Sequence, residues 1–146
     1  MDWQERLTQI HRERYLLGLQ VSQHPLEAMR PWLAERGFAT ARDLRLLRAG
    51  SPVKLAGEVI IVHTPPQKNA TRVIFTTIED ETGLLDLALF PRQQPGNARV
   101  LLSHPLILVW GRLSRRGSKD ALVAVNRILP PPLDLHATPR AAPRGD

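Results

Sequence analysis

Residues 72–91 read RVIFTTIEDETGLLDLALFP, and this stretch decides the fold. Arg72 to Ile78 is rich in β-branched and aromatic residues, which favours an extended strand. Glu79-Asp80-Glu81-Thr82-Gly83 is turn chemistry, with Gly83 able to take a positive φ. Leu84 to Phe90 resumes an apolar alternation, and Pro91 ends it. The segment therefore predicts a β-hairpin with an acidic tip.

Working outward, Val53 to Thr64 (VKLAGEVIIVHT) predicts a long strand before the hairpin. Gly57 inside it points to a bulge or a sharp bend at a barrel corner. Residues 65–71 form a polar loop carrying Lys68. After the hairpin comes a connector, residues 92–103, in which Val100-Leu101-Leu102 suggests a short helix. Pro105 to Ser114 predicts a fourth strand, Arg115-Arg116-Gly117-Ser118-Lys119 a basic turn, and Ala121 to Ile128 a fifth strand. Strand, strand, strand, short helix, strand, strand is the order of a five-stranded Greek-key barrel, the OB fold.

Residues 1–50 have a different period. Asp2 to Gln20 reads as a helix, stopped by Pro25. Leu26 to Glu35 reads as a second helix, with Gly37 as its cap. Ala41 to Arg48 reads as a third, with Thr40 as its N-cap. The expected partition is a helical segment over 1–50, a nucleic-acid-binding barrel over 51–129, and a proline-rich disordered tail over 130–146. The fold class is thus mainly β, a five-stranded OB barrel with a small N-terminal helical subdomain.

The 146 residues carry a net charge of +6 and include no cysteine, so disulfides and thiolate metal sites are excluded. Absence of disulfide chemistry, of a secretory signal and of a long apolar run leads to the expectation of a cytoplasmic protein without membrane attachment. Of 20 basic residues, 17 are arginine and three are lysine. Arginine binds phosphate bidentately and stacks on bases, although a GC-rich genome also raises its share. Residues 51–129 hold 10 basic and 6 acidic residues, a surplus of +4 concentrated where the strands are. Such a surplus suits a nucleic-acid partner.

An OB barrel binds through the outer face of strands 2 and 3, flanked by the loops after strands 1 and 4. Alternation puts Phe75 and Thr77 outside in strand 2, and Leu85, Leu87 and Leu89 inside in strand 3. In strand 4 it puts Ile107, Val109 and Leu113 inside, leaving Leu108, Trp110 and Arg112 outside. Phe75 and Trp110 are candidate stacking platforms; the competing readings are core packing for Phe75 and burial beneath the N-terminal helices for Trp110. Lys68 and Arg72 flank one loop, and Arg115, Arg116 and Lys119 make up the other. The expected nucleic-acid-binding set is Lys68, Arg72, Phe75, Thr77, Trp110, Arg112, Arg115, Arg116 and Lys119, around one groove.

Catalysis finds little support. Glu79, Asp80, Glu81 and Asp86 are acidic, but a two-metal nuclease needs a second group of carboxylates that the sequence does not supply. The five histidines lack ligand spacing. There is no phosphate loop, nucleophile triad or dinucleotide fingerprint. No enzyme activity and no cofactor or metal are expected.

Several segments resemble one family. Leu16-Leu17-Gly18-Leu19 with Gln23-His24-Pro25-Leu26, Val53 to Val59, Phe75 to Gly83 and Val109-Trp110-Gly111-Arg112 are similar, in order and spacing, to the C-terminal OB region of bacterial C-family DNA polymerases, the replicative alpha subunit and its error-prone relative. Leu33-Ala34-Glu35-Arg36-Gly37 through Leu46 to Gly50 is closest to the error-prone branch. The chain departs from the pattern at Thr71-Arg72, where the family has Lys-Gly, and at Gln23, where it has Gly. No counterpart of the polymerase palm, fingers or exonuclease-like portions is present in the sequence, so no catalytic aspartates carry over. The resemblance implies a non-catalytic module that binds single-stranded DNA or RNA in replication or repair. The alternative is a protein-interaction module that docks on a polymerase or repair protein.

Overall fold

In the computed structural model five strands close into a barrel in the order β1-β2-β3-β5-β4. The described residues are Glu5, 24–64, 72–116 and 120–132, with backbone alone at Arg115, Arg116 and Asp120. The strands are β1 (Pro52–His63), β2 (Ile74–Asp80), β3 (Gly83–Leu89), β4 (Leu106–Arg116) and β5 (Asp120–Leu129). β3 and β5 run parallel; every other pairing is antiparallel. This is the expected OB barrel. The expected first helix, Lys68, Lys119 and the tail beyond residue 132 lie outside the described residues.

β1 is long because it serves two partners. Residues 52–58 pair with β4, and residues 58–63 pair with β2. The strand turns the barrel corner where the partner changes, beside Gly57. A Cβ on Gly57 would lie 2.7 Å from Ile78 Cδ1, so the glycine lets the two strands approach closely. The bulge itself falls two residues later, between Val59 and Ile61.

Inside the barrel, Leu55, Ile78, Leu87, Leu89, Ile107, Val109 and Val123 are buried in one core. The expected inward faces of strands 3 and 4 are present. A second core lies outside the barrel wall. There Leu26, Met29 and Leu33 of α1 (Pro25–Glu35), with Phe38, cover Ala56, Leu106, Leu108 and Trp110. The outer side of β1 and β4 is therefore apolar because a helix covers it.

α1 begins on Pro25 at its first position, with the His24 side chain accepting from Leu26 N–H. It ends at Gly37, whose φ is 79°. α2 spans Ala41–Leu44, and Thr40 and Asp43 form a reciprocal capping box. It is four residues shorter than its sequence suggests. The chain leaves it to add two hydrogen bonds to β4, Gly50 N–H to the Leu113 carbonyl and Leu113 N–H to the Ser51 carbonyl. A 3-10 turn (Pro91–Gln93) leads into α3 (Gln94–Ser103), which is interrupted at Pro95 and Gly96. No helix of the described residues is long and apolar enough to cross a membrane.

Candidate nucleic-acid interface

Pairing register sorts the hairpin into two faces. Phe75 stands opposite His63 of β1, and Thr77 opposite Ile61. On the other side, Phe75 faces Ala88 and Thr77 faces Asp86. These residues share the outer face. The rings of His63 and Phe75 lie 5.7 Å apart at 24°, and Phe75 is only half-buried. A flat aromatic pair on an open strand face is a surface on which a base can stack. His63 was not foreseen from the sequence, because the bulge after Val59 breaks the alternation that would place it on the Phe75 side.

Thr77 is outside as expected, and its hydroxyl donates to Asp86 Oδ1 at 2.8 Å. Arg72 is exposed just before β2, and its carbonyl accepts from Gln94 Nε2 at 2.7 Å. Arg115 and Arg116 are in strand rather than turn, pairing with Ala121 and Asp120. The loop after β1 leaves from His63, at the Phe75 end of the face. The β4–β5 connection enters at the other end, where Leu122 stands beside Asp86. Residues 65–71 and 117–119 of these two loops lie outside the described residues.

Two expected members fall elsewhere. Trp110 is 5% exposed, with its ring edge-on to Phe38 at 5.4 Å. It points outward from the barrel as alternation requires, but Phe38 and α1 cover it, so a base cannot stack on it. Arg112 is exposed on the β1–β4 side, opposite Pro52, and donates from Nη1 to the Gly50 carbonyl. It is not part of the Phe75 face.

The acidic hairpin tip has a structural task. Asp80 is 5% exposed. Its Oδ1 accepts from Thr82 N–H, the Thr82 hydroxyl and Gly83 N–H, which folds the turn. Its Oδ2 accepts from Ala41 N–H at 2.7 Å, at the start of α2. Glu81 accepts two hydrogen bonds from Arg30 of α1. Burial alone pushes the Glu81 carboxyl up, but the hydrogen bonds from Arg30 and from its own backbone, with the charge of Arg30, outweigh this and hold it below the usual carboxylate range. Burial likewise lowers Arg30, and the Glu81 hydrogen bond and carboxylate charges more than reverse it.

His24, Glu58 and Glu79 bring three potential metal-ligand atoms within 4.8 Å of one another. Their hydrogen bonds oppose a cation. His24 Nδ1 accepts from Leu26 N–H at 3.1 Å, so the ring proton resides on Nε2, which donates to Glu79 Oε1 at 3.1 Å. Ligation through Nε2 would require both nitrogens to be deprotonated. The cluster is a helix cap braced against β2.

No protein-family model matches the chain. It is 38% identical over 119 residues to an error-prone DNA polymerase of Symbiobacterium thermophilum, covering 80% of this chain and 11% of that enzyme. It is 39% identical over 108 residues to an error-prone DNA polymerase of Dechloromonas aromatica, covering 74% and 10%. The resemblance to the error-prone branch is thus borne out over most of the chain, which spans about a tenth of the polymerases it matches. Among solved structures, asparaginyl-tRNA synthetase from Pyrococcus horikoshii, complexed with asparaginyl-adenylate, is similar at a TM-score of 0.50 and 17% identity. That likeness covers 63% of this chain and 21% of that one, and it is a likeness of fold.

Proposed function

We propose that this chain, a relative of one segment of the error-prone DNA polymerases, is a non-catalytic module that binds single-stranded DNA. The observation that carries the reading is the His63–Phe75 ring pair on the outer strand face. Bases stack on Phe75 and His63, while Lys68 and Arg72 at one end, and Arg115, Arg116 and Lys119 at the other, contact phosphates. Thr77 lies between and offers its hydroxyl to a base or sugar. Glu58 and Glu79 stand opposite each other near the hairpin tip and repel phosphate there, which favours a path over the Phe75 end. The polymerase relatives agree with a role in replication or repair.

Titration of fluorescently labelled oligonucleotides at two salt concentrations tests the proposal. Micromolar affinity with a steep salt dependence is expected. An RNA of the same sequence, run in parallel, separates single-strand binding in general from DNA preference. Absence of binding at low salt defeats the reading.

A second reading rests on Ile60, Ile61 and Leu84, which are 46%, 56% and 59% exposed. Apolar side chains so open also suit a protein partner such as a polymerase or repair protein. Capture from a nuclease-treated extract that depends on Ile61 and Leu84 favours it over DNA binding.

A further inference from the structure

On the barrel side away from Phe75, a half-open cleft of about 420 Å³ lies between the α1–α2 connection and strands β1, β4 and β5. Its size falls in the ~300–1,000 Å³ range of small-ligand sites. Leu47, Pro52 and the edge of Trp110 supply apolar wall, and Lys54, Arg112 and Asn126 supply polar groups. Lys54 pairs with Trp110 and Arg112 with Pro52, so the two cations are diagonal neighbours on one face.

Both cations are held in place by neutral acceptors. Lys54 Nζ donates to the Arg36 carbonyl at 3.0 Å, and Arg112 Nη1 to the Gly50 carbonyl at 3.0 Å. Among the described residues no carboxylate lies within ion-pair distance of either. Each keeps further donors, because an ammonium has three and a guanidinium five. Asn126 is exposed where the β4–β5 register shifts, and its amide offers a donor and an acceptor. Two preset cations without a carboxylate partner among the described residues, Lys54 lying also over the Phe38 ring at 5.8 Å, together with an amide and an apolar wall, match an anionic group attached to a ring.

We propose that this cleft binds a nucleoside 5′-phosphate, with Lys54 and Arg112 on the phosphate, Asn126 on the base edge, and Leu47 and Pro52 against the base or sugar, beside the exposed rim of Trp110. The site is separate from the strand face assigned above and does not depend on it. Two sources share this chemistry, a free nucleotide and the phosphorylated end of a strand.

The test is amide and indole NMR of the full chain with dTMP, with inorganic phosphate, and with an oligothymidylate carrying or lacking a 5′-phosphate. Binding of dTMP that shifts the Trp110 indole and the Gly111 and Asn126 amides supports the site. Asn126→Asp is the decisive variant, since it adds a negative charge at an exposed position and should weaken dTMP about tenfold or more. Lys54→Ala with Arg112→Ala should do the same, while Phe75→Ala should leave dTMP binding unchanged. A 5′-phosphate preference that disappears in Asn126→Asp identifies a strand end; equal binding of both oligonucleotides with tight dTMP identifies a free nucleotide. The proposal is overturned if dTMP shifts none of these signals, if it shifts those of Phe75 and Thr77 instead, or if Asn126→Asp binds as the parent does. Loss of oligonucleotide binding in Phe75→Ala bears only on the strand face.

Discussion

Arg30 of α1 clasps Glu81 of the β2–β3 turn across 51 positions of sequence, with Nη2 to Oε1 at 2.7 Å and Nε to Oε2 alongside. Arg30 Nη2 also lies 3.7 Å from Asp80 Oδ2. This fork joins the helical layer to the barrel. Arg30→Ala strands a half-buried Glu81 and a buried Asp80 and should cost about 2–3 kcal/mol. Urea unfolding of the full chain measures it. A loss under about 0.5 kcal/mol would place the pair among the weak surface bridges.

Acid should undo the same clasp. The folded-state value of Glu81 lies below its ordinary 4.5. Its contribution is therefore complete above the unfolded value and is lost as pH falls through the folded one. The raised Arg30 value works the opposite way: its stabilisation is present throughout the acid and neutral range and is lost only in strong alkali. Glu81→Gln should be less stable than the parent at neutral pH and should lose less stability on acidification below about pH 4.5. Parallel urea midpoints for the two proteins at stepped pH are the measurement; identical slopes would remove Glu81 from the acid response.

Asp80 should be more sensitive still. Four donors converge on its carboxylate, from Thr82 (two), Gly83 and Ala41. Asp80→Ala leaves them without an acceptor in a site that is 5% exposed, and a loss of about 3 kcal/mol or more is expected. Asp80→Asn keeps the shape but turns an amide toward donors, so it should recover only part. Full recovery would mean that packing, not acceptance, explains the residue.

Gly111 should resist enlargement for a different reason. A Cβ there would collide with the Ala124 carbonyl oxygen on the neighbouring strand and lie 2.7 Å from Val123 Cγ1. Backbone cannot turn aside as a side chain can, so Gly111→Ala should cost about 1–3 kcal/mol. Thermal unfolding unchanged from the parent would show that the β4–β5 ladder has slack.

The strand order was legible because period-two alternation and turn residues are local signals. Leu85, Leu87 and Leu89 in one strand, and Ile107 and Val109 in another, declare their inward faces without tertiary information. What lay beyond reach was the helical layer. Trp110 obeys the alternation, yet a helix more than seventy residues upstream decides whether its outer face is open or covered. The partners of the acidic tip were out of reach for the same reason: Asp80 and Glu81 read correctly as turn residues, but only the fold brings Ala41 and Arg30 to them. His63 was hidden by one extra residue at the bulge, which shifts the register by which Phe75 finds its neighbour.

The strand face and its flanking arginines should leave different signatures on DNA binding. Phe75→Ala removes a stacking surface, so affinity should fall by about 1–3 kcal/mol with the salt slope nearly unchanged. Phe75 also packs on His63, so the variant needs an unfolding curve beside the binding curve; a destabilised but folded protein still reports on stacking at a temperature below its transition. Arg115→Ala with Arg116→Ala removes up to two phosphate contacts. Affinity should fall, and the slope should flatten by roughly 0.7 per contact on a single strand. Both arginines pair through backbone groups in β4, and alanine preserves those bonds, so the barrel should stay intact. Equal affinity and slope in the double variant would mean that the nucleic acid does not reach the β4–β5 end, and that its path runs only over His63, Phe75 and the loop that follows β1.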